Sequence, residues 1–193
     1  SQADRQAMSR DTEKQHIWLV GFSGSGKSTI GPALAKLLHM QFVDTDEAIE
    51  HQARTSIAQL FANKGEAHFR ALESTLIYRL AMTSRPTVVA LGGGAFQSAV
   101  NRKIIRTSGI SIYLESSVSV IYRRLAEKSD RPLLEVVARS GETLRQARIK
   151  RIANLLANRE HNYLRADITV SSSKGTPAEI ARRIRERIGK LNG

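Results

Sequence analysis

The sequence predicts a three-layer α/β domain, a five-stranded parallel sheet with helices on both faces. Two observations carry this. Short apolar runs alternate with helical patterns along the chain, and parallel strands need such crossovers. The runs are also apolar throughout, as strands buried on both faces are. In sheets of this kind ligands bind beyond the carboxyl ends of the strands, so chemistry is expected there.

Residues 1–15 are polar and aperiodic and read as a mobile tail ahead of a single domain over residues 16–193. "HIWLVGF" (16–22) is the first strand and runs into a glycine-rich stretch. From Lys27 the spacing of Ile30, Leu34, Leu37 and Leu38 is helical. "QFV" (41–43) is the second strand, and residues 45–83 carry helical patterns broken near Lys64 and Gly65. "TVVAL" (87–91) is the third strand, followed by a helix over about 97–107. "ISIYL" (110–114) is the fourth, with a helix after it to about 126. The stretch 128–142, "KSDRPLLEVVARSGE", contains proline and glycine and reads as a mobile lid. A helix then runs to about 160, with Ile149, Ile152, Leu155 and Leu156 on one side. "ADITV" (166–170) is the last strand. Thr176 and Glu179 make a capping box with Pro177 at the first helical position. Ile180, Ile184, Ile188 and Leu191 then form the apolar stripe of the final helix.

A chain of 193 residues can bury one full core, and 41% hydrophobic with 25% charged residues is ordinary for a globular protein. With 0 cysteines, disulfides, thiolate metal sites and thiol nucleophiles are excluded. No run is long enough to span a membrane, and the start lacks the apolar segment of a signal peptide. The cytoplasm is the expected compartment, or a plastid if a leader has been removed. The formal net charge of +12 predicts anionic partners without choosing among them.

After the first strand, Gly21 to Thr29 fits G-x-x-x-x-G-K-[ST], with the strand before and helix after that the motif requires. Backbone N–H groups from Gly24, Ser25 and Gly26 through Thr29 would cradle phosphates at a helix N-terminus. Lys27 would reach the β- and γ-phosphates and the Ser28 hydroxyl would ligate Mg²⁺. This is a nucleoside triphosphate site. For a further carboxylate in the magnesium shell, "TVVAL" runs into glycine, "ISIYLE" ends in Glu115 and Asp167 lies at the wrong end of its strand, and Asp44 at the end of "FV" is the best placed. Asp44 is equally placed to cap the next helix, with Glu47 three residues on, and one residue can do both. Asp46 is free to orient an acceptor hydroxyl, or simply to complement the helix dipole. Gly92, Gly93 and Gly94 follow the third strand, where a ligand would approach the backbone closely or a plain loop would run. Arg70 with Glu73 is an i,i+3 pair, and Arg159 closes the long helix; each also reads as a solvated charge. Arg131, in the lid, could neutralise charge on a transferring phosphoryl group.

The phosphate loop, D-T-D at 44–46, F-R-x-x-E at 69–73, G-G-G at 92–94 and R-P-L-L at 131–134 occur in one order. Together they resemble the shikimate kinase family, over about residues 16–190. The resemblance implies a P-loop kinase fold with a mobile lid, and ATP-dependent phosphorylation of the 3-hydroxyl of shikimate with Mg²⁺. It implies that Asp46 contacts the ring hydroxyls and that Asp44 acts near magnesium, through water. Arg70 and Arg159 would hold the substrate carboxylate, a role suited to planar guanidinium forks. Glu73 would brace Arg70 or touch substrate, the glycine triplet would contact the ring, and Arg131 would close over the phosphates. Arg124 would lie against adenine, with Pro177 flanking the base. The chain departs from the family where R-x-P-x-Y becomes Arg159-Glu160-His161-Asn162-Tyr163, which bears on the placement of Arg159.

Two other readings share some of these features. A gluconate-type or nucleotide kinase has the loop and lid, but would not need D-T-D, the arginine after Phe69 and the glycine triplet together. A basic nucleic-acid-binding protein would use Arg182, Arg183, Arg185 and Arg187 with Arg145, Arg148, Lys150 and Arg151. Aromatics at 5% and the lack of a stacking motif weigh against it. The expected partners are therefore ATP and shikimate, with no nucleic acid, no membrane and a monomeric chain. The five histidines show no metal-ligand spacing, so no site beyond the magnesium of ATP is expected.

Overall fold

The computed structural model describes residues 16–128 and 134–192, and the tail (1–15) and the centre of the lid (129–133) lie outside that range. Among the described residues, strands β1 (His16–Val20), β2 (Gln41–Asp44), β3 (Thr87–Ala90), β4 (Gly109–Glu115) and β5 (Ile168–Ser171) form one parallel sheet. Its order is β2-β3-β1-β4-β5. β1 is central, with Leu19 paired to Ala90 on one side and Ile112 on the other.

Alternate residues of each strand feed opposite faces. Ile17, Leu19, Val88, Ile112 and Leu114 pack with Ile30 and Leu34 of α1 (Lys27–Leu38) and with Ile180 and Ile184 of α8 (Pro177–Leu191). Trp18, Val20, Val89 and Tyr113 pack on the other face against four helices, α4 (Glu66–Ala81), α5 (Ala99–Ser108), α6 (Val118–Ala126) and α7 (Leu144–Tyr163). These supply Ile77, Ile105, Ile121 and Ile152, so the continuous apolar runs do mark strands covered twice. A smaller cluster of Ile49, Leu60 and Phe69 holds α2 (Thr45–Ala53) and α3 (Ile57–Lys64) against α4.

Several boundaries differ from the sequence reading. The segment 45–83 breaks at Gly65, as expected, and also at 54–56, where Arg54 takes a left-handed backbone (φ 55°) that ends α2 and the Ser56 side chain caps α3. A short 3-10 turn, Ala95–Gln97, follows the glycine triplet, so the next helix begins at Ala99. β5 begins at Ile168 rather than at Ala166. The N–H of Ser111 is taken by the Asp167 carboxylate (2.8 Å), which ends the ladder at that edge. Residues 135–143 carry no helix or strand. The α8 stripe is buried at Ile180 and Ile184, but Leu191 is exposed.

The largest correction concerns α7, which continues to Tyr163, so Arg159 lies inside the helix rather than at its end. His161 stands where the family often has proline. It retains the backbone N–H that a helix interior needs, and no ring clashes with the preceding turn.

Candidate active site

The loop from Gly21 to Gly26 joins β1 to α1, with Gly24 (φ 84°) and Gly26 (φ 99°) in left-handed conformations that favour glycine. Lys27 is buried beneath it, its Nζ donating to the carbonyls of Gly21 (2.5 Å) and Phe22 (2.9 Å). Burial pushes its pKa down to about 8, against the pull of the Asp46 and Asp44 carboxylates. The loop opens on a cavity of about 370 Å³ at the carboxyl ends of β1, β2 and β3. Gly24, Gly26, Lys27, Ser28 and Thr29 line it together with Asp44, Asp46, Gly92, Gly93 and Arg124. Ser25 is buried behind the loop and does not reach the cavity wall.

Asp44 ends β2 and divides its two oxygens. Oδ1 accepts the N–H groups of Asp46 (2.9 Å) and Glu47 (3.2 Å), capping α2. Oδ2 accepts from the Ser28 hydroxyl at 3.1 Å, on the cavity wall. The cap and the place beside Ser28 are thus both occupied by one carboxylate. Between the aspartates, Thr45 turns inward. Its buried Oγ1 donates to the Ala90 carbonyl (3.3 Å) and accepts from the N–H of Gly92 (3.1 Å). This hydroxyl ties the start of α2 to the end of β3.

Asp46 faces the glycine triplet. Its Oδ1 and the Oε2 of the fully buried Glu73 are both closed off without a hydrogen-bond partner. A Cβ on Gly92 would lie 2.6 Å from that Oδ1 and 3.0 Å from that Oε2, so the two carboxylates converge on this glycine. Burial raises the Asp46 pKa to about 6, with Asp44 adding to the rise and Lys27 opposing it. Burial also raises that of Glu73, opposed by Arg70. Arg70 Nη1 donates to Glu73 Oε1 at 2.7 Å, and its guanidinium lies 5.1 Å from the centre of the Phe69 ring. The i,i+3 pair is therefore a half-buried clamp rather than a solvated one.

The other glycines admit the two arginines. A Cβ on Gly94 would collide with the Arg70 guanidinium, and one on Gly93 would stand 3.3 Å from Arg159 Nη1. Arg159 lies 5.7 Å over the Phe22 ring, and its carbonyl accepts from Gln97 Nε2 (3.3 Å). Gln97 is held in turn by Asn162 (2.8 Å), and Tyr163 donates to the Gly93 carbonyl. The helical residues past His161 carry the Asn162 and Tyr163 contacts. Arg124, from α6, reaches the Gly24 carbonyl (3.3 Å) at the opposite side of the cavity. Pro177 begins α8, is exposed and does not line the cavity. Arg131 lies outside the described residues.

The family model for shikimate kinase matches residues 23–189, which include every one of these residues except Gly21 and Phe22 at the loop's start. The chain belongs to the shikimate kinase family. It is 46% identical over 177 residues to a shikimate kinase of Chlorobium chlorochromatii (strain CaD3), covering 89% of this chain and 92% of that one. A shikimate kinase of Cereibacter sphaeroides is 40% identical over 184 residues, covering 95% and 86%. The solved shikimate kinase from Acinetobacter baumannii in complex with shikimate matches with a TM-score of 0.83 at 30% identity, covering 95% of this chain and 97% of that one. The fold is that of shikimate kinases, and ATP is the co-substrate of the family.

Within this shikimate kinase framework, Thr45, Gln97 and Tyr163 are structural partners of the site that sequence reasoning passed over. Thr45 and Tyr163 stood inside quoted motifs, where a hydroxyl beside charged residues was the available signal. Gln97 had none, because its partners lie 62 and 65 residues away.

Proposed function

We propose that the chain transfers the γ-phosphoryl group of ATP to the 3-hydroxyl of shikimate. The observation that carries this reading is Asp46, which lines one cavity with Lys27 and Gly92 and packs its carboxylate against that glycine. The hydroxyl oxygen attacks the γ-phosphorus, the bond to the β-phosphate oxygen breaks, and the hydroxyl proton passes to Asp46 as ADP leaves. Lys27 holds the β- and γ-phosphates, and backbone N–H groups of the loop cradle them. Arg70, braced by Glu73, and Arg159 take the substrate carboxylate from either side of the glycine triplet. Arg124 borders the nucleobase end, and the family resemblance alone carries Arg131 as the lid residue over the phosphates.

Ser28 and Asp44 offer adjacent oxygen donors at the cavity wall, a pairing that fits Mg²⁺, which keeps most of its waters. Bound there, Mg²⁺ would neutralise charge on the phosphates. We read the chain as a monomer acting in the cytoplasm. Its exposed large apolar residues, such as Tyr78, Val100, Val137 and Leu164, are spread over separate elements.

ADP release with ATP and Mg²⁺ against shikimate, quinate, gluconate, AMP and no acceptor tests the reading. Stimulation by shikimate alone is expected. Stimulation by gluconate or AMP instead would replace the acceptor, and none by any acid would end the proposal.

A further inference from the structure

Behind the phosphate loop lies a polar chain, Arg124, Ser116, Ser172 and Ser25, of which only Arg124 lines the cavity. Ser172 follows β5 directly and is fully buried. Its N–H donates to the Glu115 carbonyl (2.8 Å), which prolongs the β4–β5 ladder by a residue. Its Oγ lies 2.7 Å from the Ser25 carbonyl oxygen in the phosphate loop and 2.5 Å from Ser116 Oγ. Ser116 Oγ is in turn 3.3 Å from Arg124 Nη1, and the Ser172 carbonyl accepts from Arg124 Nη2.

Donor and acceptor capacities set the direction of this chain. A guanidinium can only donate and a carbonyl oxygen can only accept, so each serine passes one hydrogen onward. The sequence runs from Arg124 to Ser116, from Ser116 to Ser172, and from Ser172 to the Ser25 carbonyl at 2.7 Å, with the Glu115 carbonyl a longer second acceptor at 3.2 Å. Its charged end polarises every link, and hydrogen bonds aligned in this way strengthen one another. The far end matters because every peptide bond among the described residues is trans. A Ser25 carbonyl held on the Ser172 side sets the following N–H, that of Gly26, on the other side. Gly26 lines the cavity.

We infer that Ser172 is a positioning residue for the nucleotide, aligning the Gly26 N–H of the phosphate loop and tying it to Arg124, which donates to the Gly24 carbonyl of the same loop. The inference rests on the proposed ATP site. It gives the residue after the edge strand β5 a part in phosphate binding, across β4.

Calorimetric titration with ADP, beside KM values for ATP and shikimate, tests it. Ser172→Ala leaves the Ser25 carbonyl buried without its donor, and a rise of about tenfold in the ADP Kd and ATP KM is expected. The shikimate KM should stay unchanged, and Ser172→Thr, which keeps the hydroxyl, should recover nucleotide binding. Ser116→Ala cuts the same chain and should also weaken ADP, adding little in the Ser172→Ala background because the two share one path. An unchanged ADP Kd in folded Ser172→Ala, or an equal rise in both KM values, would overturn the inference. If Ser172→Ala does not fold, Ser116→Ala carries the same expectation and the same overturning results. A parent chain that binds ADP but ignores shikimate would count against the acceptor reading and leave the ADP titration to decide this one.

Discussion

At the residue scale, the site depends on carboxylates and an ammonium held away from water. Asp46 is pushed up to about 6 and Lys27 down to about 8, each chiefly by burial. In the proposed mechanism Asp46 acts ionised and Lys27 acts charged. The value of kcat/KM for ATP should therefore rise as pH passes through about 6 and fall as it passes about 8. Bound phosphates favour the charged ammonium, so the upper limb of kcat should move to higher pH. Asp46→Asn keeps the size of the side chain and removes its proton acceptor. Turnover should drop by roughly 10²–10⁴-fold with ATP affinity retained, and the acid limb should vanish. Persistence of that limb in the variant would assign it to another group. Asp44, by contrast, shows why a single residue resists a single label. One oxygen caps a helix and the other faces Ser28, so both readings of the sequence describe the same side chain.

At the element scale, helix ends organise the molecule. The capping box at Thr176 is reciprocal, with Glu179 N donating to Thr176 Oγ1 (3.2 Å) and Thr176 N to Glu179 Oε2 (3.1 Å). Such a box is visible in sequence because its parts are three residues apart. Thr143 and Gln146 open α7 in the same way, with Gln in place of Glu, and the sequence reading saw only the helix that follows. Thr176→Ala should cost about 1 kcal/mol of stability. In a protein of this size that lowers Tm by about 2–4 °C, measurable by calorimetry. An unchanged Tm would mean that packing of Ile180 and Ile184 alone sets the start of α8. The extension of α7 through His161 works in the opposite sense, adding a turn that carries Asn162 and Tyr163 to Gln97 and Gly93.

At the scale of the whole molecule, the central place of β1 brings the ends of β1, β2 and β3 to one cavity. The net charge of +12 does not by itself mark a nucleic-acid surface. Arg183 and Arg187 donate to the carbonyls of Lys174 and Thr169, Arg148 to that of Leu134, and Arg145 stacks on Tyr122. Part of the basic face is thus engaged with its own chain. Sedimentation equilibrium at physiological salt should return a single species near 21.4 kDa, and a dimer mass would overturn the monomer reading. The sequence by itself determined the layered α/β class, the phosphate loop, the paired aspartates and the family, because each rests on short-range features: continuous apolar runs, helical stripes and motifs of a few residues. Tertiary structure alone decided the rest. Among three consecutive serines at 171–173, nothing local singles out Ser172, which becomes the link to Ser25 only when β5 lies beside β4. Glu73 and Arg70 read as a surface pair until α4 packs them against Gly92 and Gly94. Such roles come from burial and from partners far apart in the chain, and local spacing carries no record of either.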